Sequence, residues 1–147
     1  MVLRNTYVEH YNGARIQTWR TPRSMFEELD GEYHFDFDGA ADDSNALTAD
    51  YQSTFFQPWT GRRVFCNPPW SNIGPFVELA ATAALAVLLV PARTNCGWFH
   101  RALELGAKPR YFKGKPRFQG AKWNSPVDCL LLVFEGGDLP GTGRNRA

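Results

Sequence analysis

Asn67-Pro68-Pro69-Trp70 follows directly on the apolar run Val64-Phe65-Cys66, and this is the pattern of a site that offers hydrogen-bond acceptors to an amino group. Two consecutive prolines hold φ near its extended value and remove two backbone donors, so the carbonyls beside them accept from something other than a sheet neighbour. An exocyclic –NH2 on a planar ring suits such a site. The Asn67 side-chain oxygen and the Pro68 carbonyl would each take one amino hydrogen while the Trp70 ring stacks on the ring face, leaving the nitrogen lone pair aimed at an electrophile. The plainer reading of the same four residues is a strand that ends in a stiff Pro-Pro turn with a core tryptophan.

Other residues are chemically suggestive but less specific. Arg93-Thr94 closes an apolar run and opens a helix carrying Trp98 and Arg101, and a helix N-terminus beside an arginine favours a phosphate or a nucleotide backbone. A helix capped by Thr94 with Trp98 in the core is the simpler alternative. Asp38-Gly39-Ala40-Ala41 holds one glycine and two small residues, and no fuller glycine-rich nucleotide loop is present. By itself it reads as a strand-ending Asp-Gly turn. Thr21-Pro22 is an ordinary helix start, and Trp19 an ordinary core or staple residue.

Charge separates the chain into two halves beneath a net charge of +1. Residues 24–61 hold nine acidic residues and no Lys or Arg. Residues 93–122 hold eight basic residues, among them Arg93, Arg101, Lys113, Lys115, Arg117 and Lys122, against the single acid Glu104, a net of +7. Trp98, Tyr111, Phe112, Phe118 and Trp123 are interleaved with them, as on a phosphate-binding face. A solvated basic surface would have the same composition.

The elements that must position these residues follow from periodicity. A helix is predicted over 24–29, opened by Thr21-Pro22 and stopped at Gly31, then a strand over Tyr33–Phe37. Ser44–Thr48 could open a short helix, and Arg62–Cys66 is the strand that delivers the Asn67 quartet. A helix starts at Pro75 and runs to Ala84; Ala86–Val90 is a strand buried on both faces. A helix capped by Thr94 or Asn95 runs through Trp98–Leu105 and closes at Gly106. Further strands are expected over 110–113, 116–119 and 127–134. Strands alternating with helices argue for an α/β fold with a mostly parallel sheet and antiparallel pairing among the last strands. In such sheets ligands sit at the carboxyl ends of the strands, where Asp38, Asn67 and Pro91-Ala92-Arg93 all fall.

With 147 residues the chain makes one minimal domain, expected over 19–135, with an N-terminal arm over 1–18 and a flexible tail over 136–147. A separate ligand-reading domain is not expected in this length, so selectivity is expected to fall to loops or to a second subunit, as in a homodimer. Three widely spaced cysteines, Cys66, Cys96 and Cys129, with no Cys-x-x-Cys pair read as reduced thiols of a cytoplasmic protein without a metal site. Met1 to Glu9 lacks the apolar core of a signal peptide, and Ala83–Val90 is too short to cross a bilayer.

The tetrapeptide matches the N-P-P-[YFW] pattern of S-adenosylmethionine-dependent methyltransferases that act on planar amino or amide nitrogens. Trp19-Arg20-Thr21-Pro22, Phe35-Asp36-Phe37-Asp38-Gly39-Ala40-Ala41, Asn45, Tyr51, Gly61, the Asn67 quartet, Leu89-Val90-Pro91-Ala92-Arg93-Thr94, Trp98-Phe99-His100 and Lys113-Gly114-Lys115-Pro116-Arg117-Phe118 follow in an order that resembles the phage-type DNA adenine N6-methyltransferase (Dam-like) family over about residues 19–134. The resemblance implies a Rossmann-like methyltransferase fold with helices on both faces of the sheet, S-adenosylmethionine as donor, and adenine in DNA as acceptor, in host cytoplasm if the chain is phage-encoded. Carried onto this chain, Asn67, Pro68, Pro69 and Trp70 become the catalytic set, with a flipped adenine over Trp70. Trp19, Thr21, Pro22, Asp38, Gly39, Ala40 and Ala41 become the donor site, with small residues at 39–41 for close approach and Asp38 for a hydroxyl or the ammonium group. Asp36, expected on the same strand face, is the secondary candidate. Arg93, Thr94, Trp98, Arg101, Lys113, Lys115, Arg117 and Lys122 become the DNA face. The alternatives are transfer to cytosine N4, a guanine N2 in RNA or a protein glutamine, and a non-catalytic nucleic-acid-binding module on the same fold.

Overall fold

The computed structural model describes residues 21–41, 46–51, 57–117, 125 and 127–136. Trp19, Asn45, Lys122, the expected arm and all but the first residue of the expected tail lie outside them. Along the chain run helix α1 (Arg23–Tyr33), strands β1 (Phe37–Asp38), β2 (Asp50–Tyr51) and β3 (Arg63–Cys66), helix α2 (Gly74–Ala80), strand β4 (Leu85–Pro91), helix α3 (Gly97–Glu104), and strands β5 (Lys108–Arg110) and β6 (Cys129–Glu135). One six-stranded sheet has the order β2-β1-β3-β4-β6-β5. The pairings β1–β2, β1–β3 and β3–β4 are parallel, while β6 runs antiparallel to both β4 and β5. The domain is therefore mixed α/β, with its antiparallel pairing gathered at one side as the sequence predicts.

Side chains alternate along a strand. The partners Phe65↔Val87, Val87↔Val133 and Leu89↔Leu131 thus put Phe65, Val87, Leu89, Leu131 and Val133 on one face. There the rings of Phe26 and Phe35 each lie 5.5 Å from that of Phe65, centroid to centroid, which seats α1. Cys66 points the other way. Trp59 fills that side beside it and meets Phe76 of α2, ring centroids 6.5 Å apart. Helices α1 and α2 therefore cover opposite faces. Between them every residue of β4 is buried, as a strand covered on both sides requires.

Several boundaries move for local reasons. Gly31 does not end α1; His34 does, in a left-handed conformation with φ 55°. Its N–H donates to the Asp30 carbonyl at 2.8 Å, while the Asp30 carboxylate accepts the Phe35 N–H at 2.8 Å, so the Asp30 side chain closes the helix end. The strand expected from Tyr33 shrinks to two residues because the Asp36 carboxylate, not a backbone carbonyl, accepts the Arg63 N–H at 3.0 Å. Helix α2 stops at Ala80 rather than Ala84: the Thr82 hydroxyl donates to the Leu79 carbonyl at 2.6 Å and accepts the Trp59 N–H at 2.8 Å. Helix α3 starts without a side-chain cap from Thr94 or Asn95. It ends as predicted at Gly106, φ 94°, with Gly106 N–H to Leu103 and Ala107 N–H to Ala102, the paired bonds of a Schellman close. Residues 47–49 are bends leading into β2, a strand the sequence did not reveal, and β5 lies at 108–110 with no strand over 111–117. Gly136 belongs to the packed body: its N–H donates to the Ala84 carbonyl at 2.6 Å.

Candidate active site

The strand order reverses direction between β1 and β3: from β1 the chain moves outward to β2, and from β3 it moves the other way to β4. Open α/β sheets bind ligands in the crevice that such a reversal leaves at the carboxyl ends of the strands. Asp38-Gly39 and Asn67-Pro68 leave the adjacent parallel strands β1 and β3 at this same end and flank the crevice, with Gly39 N–H donating to the Phe65 carbonyl at 2.9 Å. Pro91-Ala92-Arg93 ends the next strand along. The sheet thus gathers the three sequence candidates on one rim.

In the quartet Asn67 is half-buried and Pro68, Pro69 and Trp70 are buried. The Pro69 carbonyl accepts the Asn72 N–H at 2.9 Å, turning the chain into α2. Trp70 is 3 % exposed and belongs to the core, so a base reaches its ring only when the groups covering it move aside. Cys66, the last residue of β3 before the quartet, is fully buried, and burial pushes its thiol well above the usual range, which removes it as a nucleophile.

Across the crevice Asp38 is 3 % exposed. Its carboxylate accepts the Ala40 and Leu47 N–H groups, each at 3.2 Å, and among the described residues it makes no ion pair. Burial raises its pKa to about 7 against the pull of those two hydrogen bonds. The need for glycine at 39 has a packing cause: a Cβ there would stand 2.6 Å from the Trp59 ring and 3.1 Å from the Cβ of Cys66. Trp59, 1 % exposed, is thus the back wall of the Asp38 turn and was not singled out from the sequence. Its bulk beside the one glycine of the turn is a contact that spacing does not reveal. Ala40 is half-buried and Ala41 buried. Asp36 separates from Asp38: it is exposed and bound to the Arg63 N–H, at the amino end of β3 and away from the crevice. Thr21 is buried, and Pro22 lines a cavity described next.

That cavity, about 580 Å³, opens at the carboxyl end of β5 between the start of α1 and the segment 110–117. Lys113 and Arg117 line it, while Lys115 makes an exposed ion pair with Asp128 at 3.7 Å. Arg93 and Trp98 are half-buried and Thr94 exposed; the Thr94 carbonyl lies 2.8 Å from the His100 ring nitrogen Nε2. Arg101 is engaged within the fold. Its guanidinium donates to both oxygens of Glu78 at 2.9 Å and to Glu104 at 3.4 Å, so it fastens α3 to α2. Arg110 is similarly held by Glu32 and by the Tyr33 hydroxyl. No group of three metal-ligating side chains occurs among the described residues, and no described helix is long and apolar enough to cross a membrane.

A family model described as DNA N-6-adenine-methyltransferase (Dam) matches residues 10–130. No curated protein matches the chain.

Proposed function

The chain belongs to the DNA N-6-adenine-methyltransferase (Dam) family, and from that premise we propose that it transfers a methyl group from S-adenosylmethionine to the N6 amino group of an adenine in DNA, on a Rossmann-like methyltransferase fold. The observation that carries this reading is the pairing, across the β1–β3 crevice, of an acceptor-rich Asn67-Pro68 turn with a buried carboxyl group that lacks a cation among the described residues.

The crevice residues fit such a donor. A buried carboxylate with two backbone donors and no counter-charge among the described residues is suited to an ammonium or a ribose hydroxyl, and Thr21 and the 39–41 turn are the further candidates to line that side. When bound, S-adenosylmethionine supplies an electrophilic methyl group on a sulfonium. The target adenine must leave the base stack to reach the crevice. Its two amino hydrogens donate to the Asn67 side-chain oxygen and the Pro68 carbonyl, which keeps the nitrogen lone pair out of conjugation and fixes its direction. Trp70 holds the base face once its covering groups yield. No strong base is needed beforehand, because the proton becomes far more acidic after transfer and leaves to water. Alignment and pre-placed acceptors therefore provide the rate.

Transfer of labelled methyl to unmethylated DNA, followed by digestion to nucleosides, tests the reading. Label in N6-methyladenine is expected. Label in N4-methylcytosine would reassign the acceptor, and none in DNA would leave only a binding role.

A further inference from the structure

The cavity between α1 and the segment 110–117 is lined by neither Asp38 nor any residue of the Asn67 quartet, and its lining has a definite chemistry. Met25 and Leu131 give it an apolar floor, Lys113 and Arg117 line it with cations, Glu28 adds one carboxylate, and the Tyr111 ring stands beside it 75 % exposed. Its volume of about 580 Å³ is that of a site for a small organic group rather than an ion. An apolar floor with a presented ring suits a planar base, and the cations suit its phosphate. Glu28 gives something a bare phosphate site would not contain: an acceptor for a base amino or ring N–H.

Position links the cavity to the crevice. Leu131 pairs with Leu89, one step beyond the Leu88 that pairs with Cys66, and Asn67 follows Cys66. Two strand spacings, roughly 10 Å, therefore separate the cavity floor from the quartet. That is about three stacked steps along one DNA strand, at 3.4 Å each, and fewer when the strand is extended. We propose that this cavity seats one unstacked nucleotide of the same DNA strand, a neighbour of the target adenine and not the target itself. The inference rests on the DNA reading above.

The test is affinity, read by fluorescence anisotropy on labelled oligonucleotides, for wild type and Tyr111→Ala, a change at an exposed site that does not threaten the fold. Tyr111→Ala should bind roughly five- to hundredfold more weakly, with an unchanged salt slope because no charge is lost, and with unchanged S-adenosylmethionine affinity. Abasic scanning should find one position at which wild type loses that same factor and Tyr111→Ala loses nothing more. Wild-type affinity in Tyr111→Ala, or a loss that persists undiminished at every abasic position, would overturn the proposal. So would tight binding of a free deoxynucleoside monophosphate that Tyr111→Ala abolishes while DNA binding survives, since the cavity would then serve a free nucleotide. Binding is read here and not transfer, so an absence of methylation would count against the proposed activity alone.

Discussion

Asp38 holds a carboxyl group away from water without a positive partner among the described residues, and its protonation follows from that placement. Its pKa lies at about 7 in the fold against 3.8 in the ordinary state. A carboxyl raised in this way contributes stability that is complete below the ordinary value and is lost as pH rises through about 7. Asp38→Asn should remove that slope from a series of unfolding curves measured across this window. If an ammonium group of the donor seats against Asp38, it favours the ionised form. S-adenosylmethionine affinity should then fall as pH drops below 7, by roughly tenfold per unit, and the dependence should vanish in Asp38→Asn; calorimetry showing the same affinity from pH 5 to 8 would move the ammonium elsewhere. Gly39 makes a complementary case. Gly39→Ala drives a methyl into the Trp59 ring, and overpacking of this kind costs about 1–3 kcal/mol. Trp59→Leu should cost less stability in the Gly39→Ala chain than in wild type, whereas additive losses in unfolding curves would show that the two side chains do not meet.

Secondary structure at this site is fixed partly by local pattern and partly by side chains that arrive from a distance. The continuous apolar run of β4 and the Pro-Pro turn after β3 are legible in sequence because each is a local property, a strand covered on both faces and a backbone without donors. Gly106 is legible for the same reason. The end of α1 is not, because Asp30 outcompetes Gly31 by accepting a hydrogen bond five residues on. Trp59 and Arg101 are not legible either: their partners Thr82 and Glu78 each lie 23 residues away, and neither pairing leaves a periodic trace. Arg101 bears directly on function. Held bidentately by Glu78 between α2 and α3, it should contribute to docking of those helices and not to DNA affinity. Arg101→Ala is expected to lower thermal stability slightly, as half-exposed pairs do, and to leave the salt slope of DNA binding at its wild-type value. A reduced slope would return Arg101 to the DNA face.

Over the whole molecule the basic half is partly neutralised from within the fold: Glu32 of α1, in the acidic half, holds Arg110 of β5, and Asp128, beyond the basic half, pairs with Lys115. The net of +7 over 93–122 therefore overstates the charge that faces DNA. Lys113, Lys115 and Arg117 still cluster beyond the carboxyl end of β5, on the rim that carries the crevice. Replacing all three by Ala should flatten the plot of log affinity against log salt by roughly 2 to 3 units, at about 0.9 per phosphate contact, and should weaken binding alike on every sequence. An unchanged slope would make this segment a solvated face. The central assignment is the Asn67 oxygen as acceptor for the amino group that is methylated, and the most direct measurement compares wild type with Asn67→Ala for single-turnover methyl transfer to DNA alongside S-adenosylmethionine affinity. The expected result is N6-methyladenine formed by wild type, a rate lower by roughly a hundred- to thousandfold in Asn67→Ala, and donor affinity unchanged between the two. Transfer by Asn67→Ala within a few-fold of wild type, or a loss traced wholly to donor binding, would contradict it.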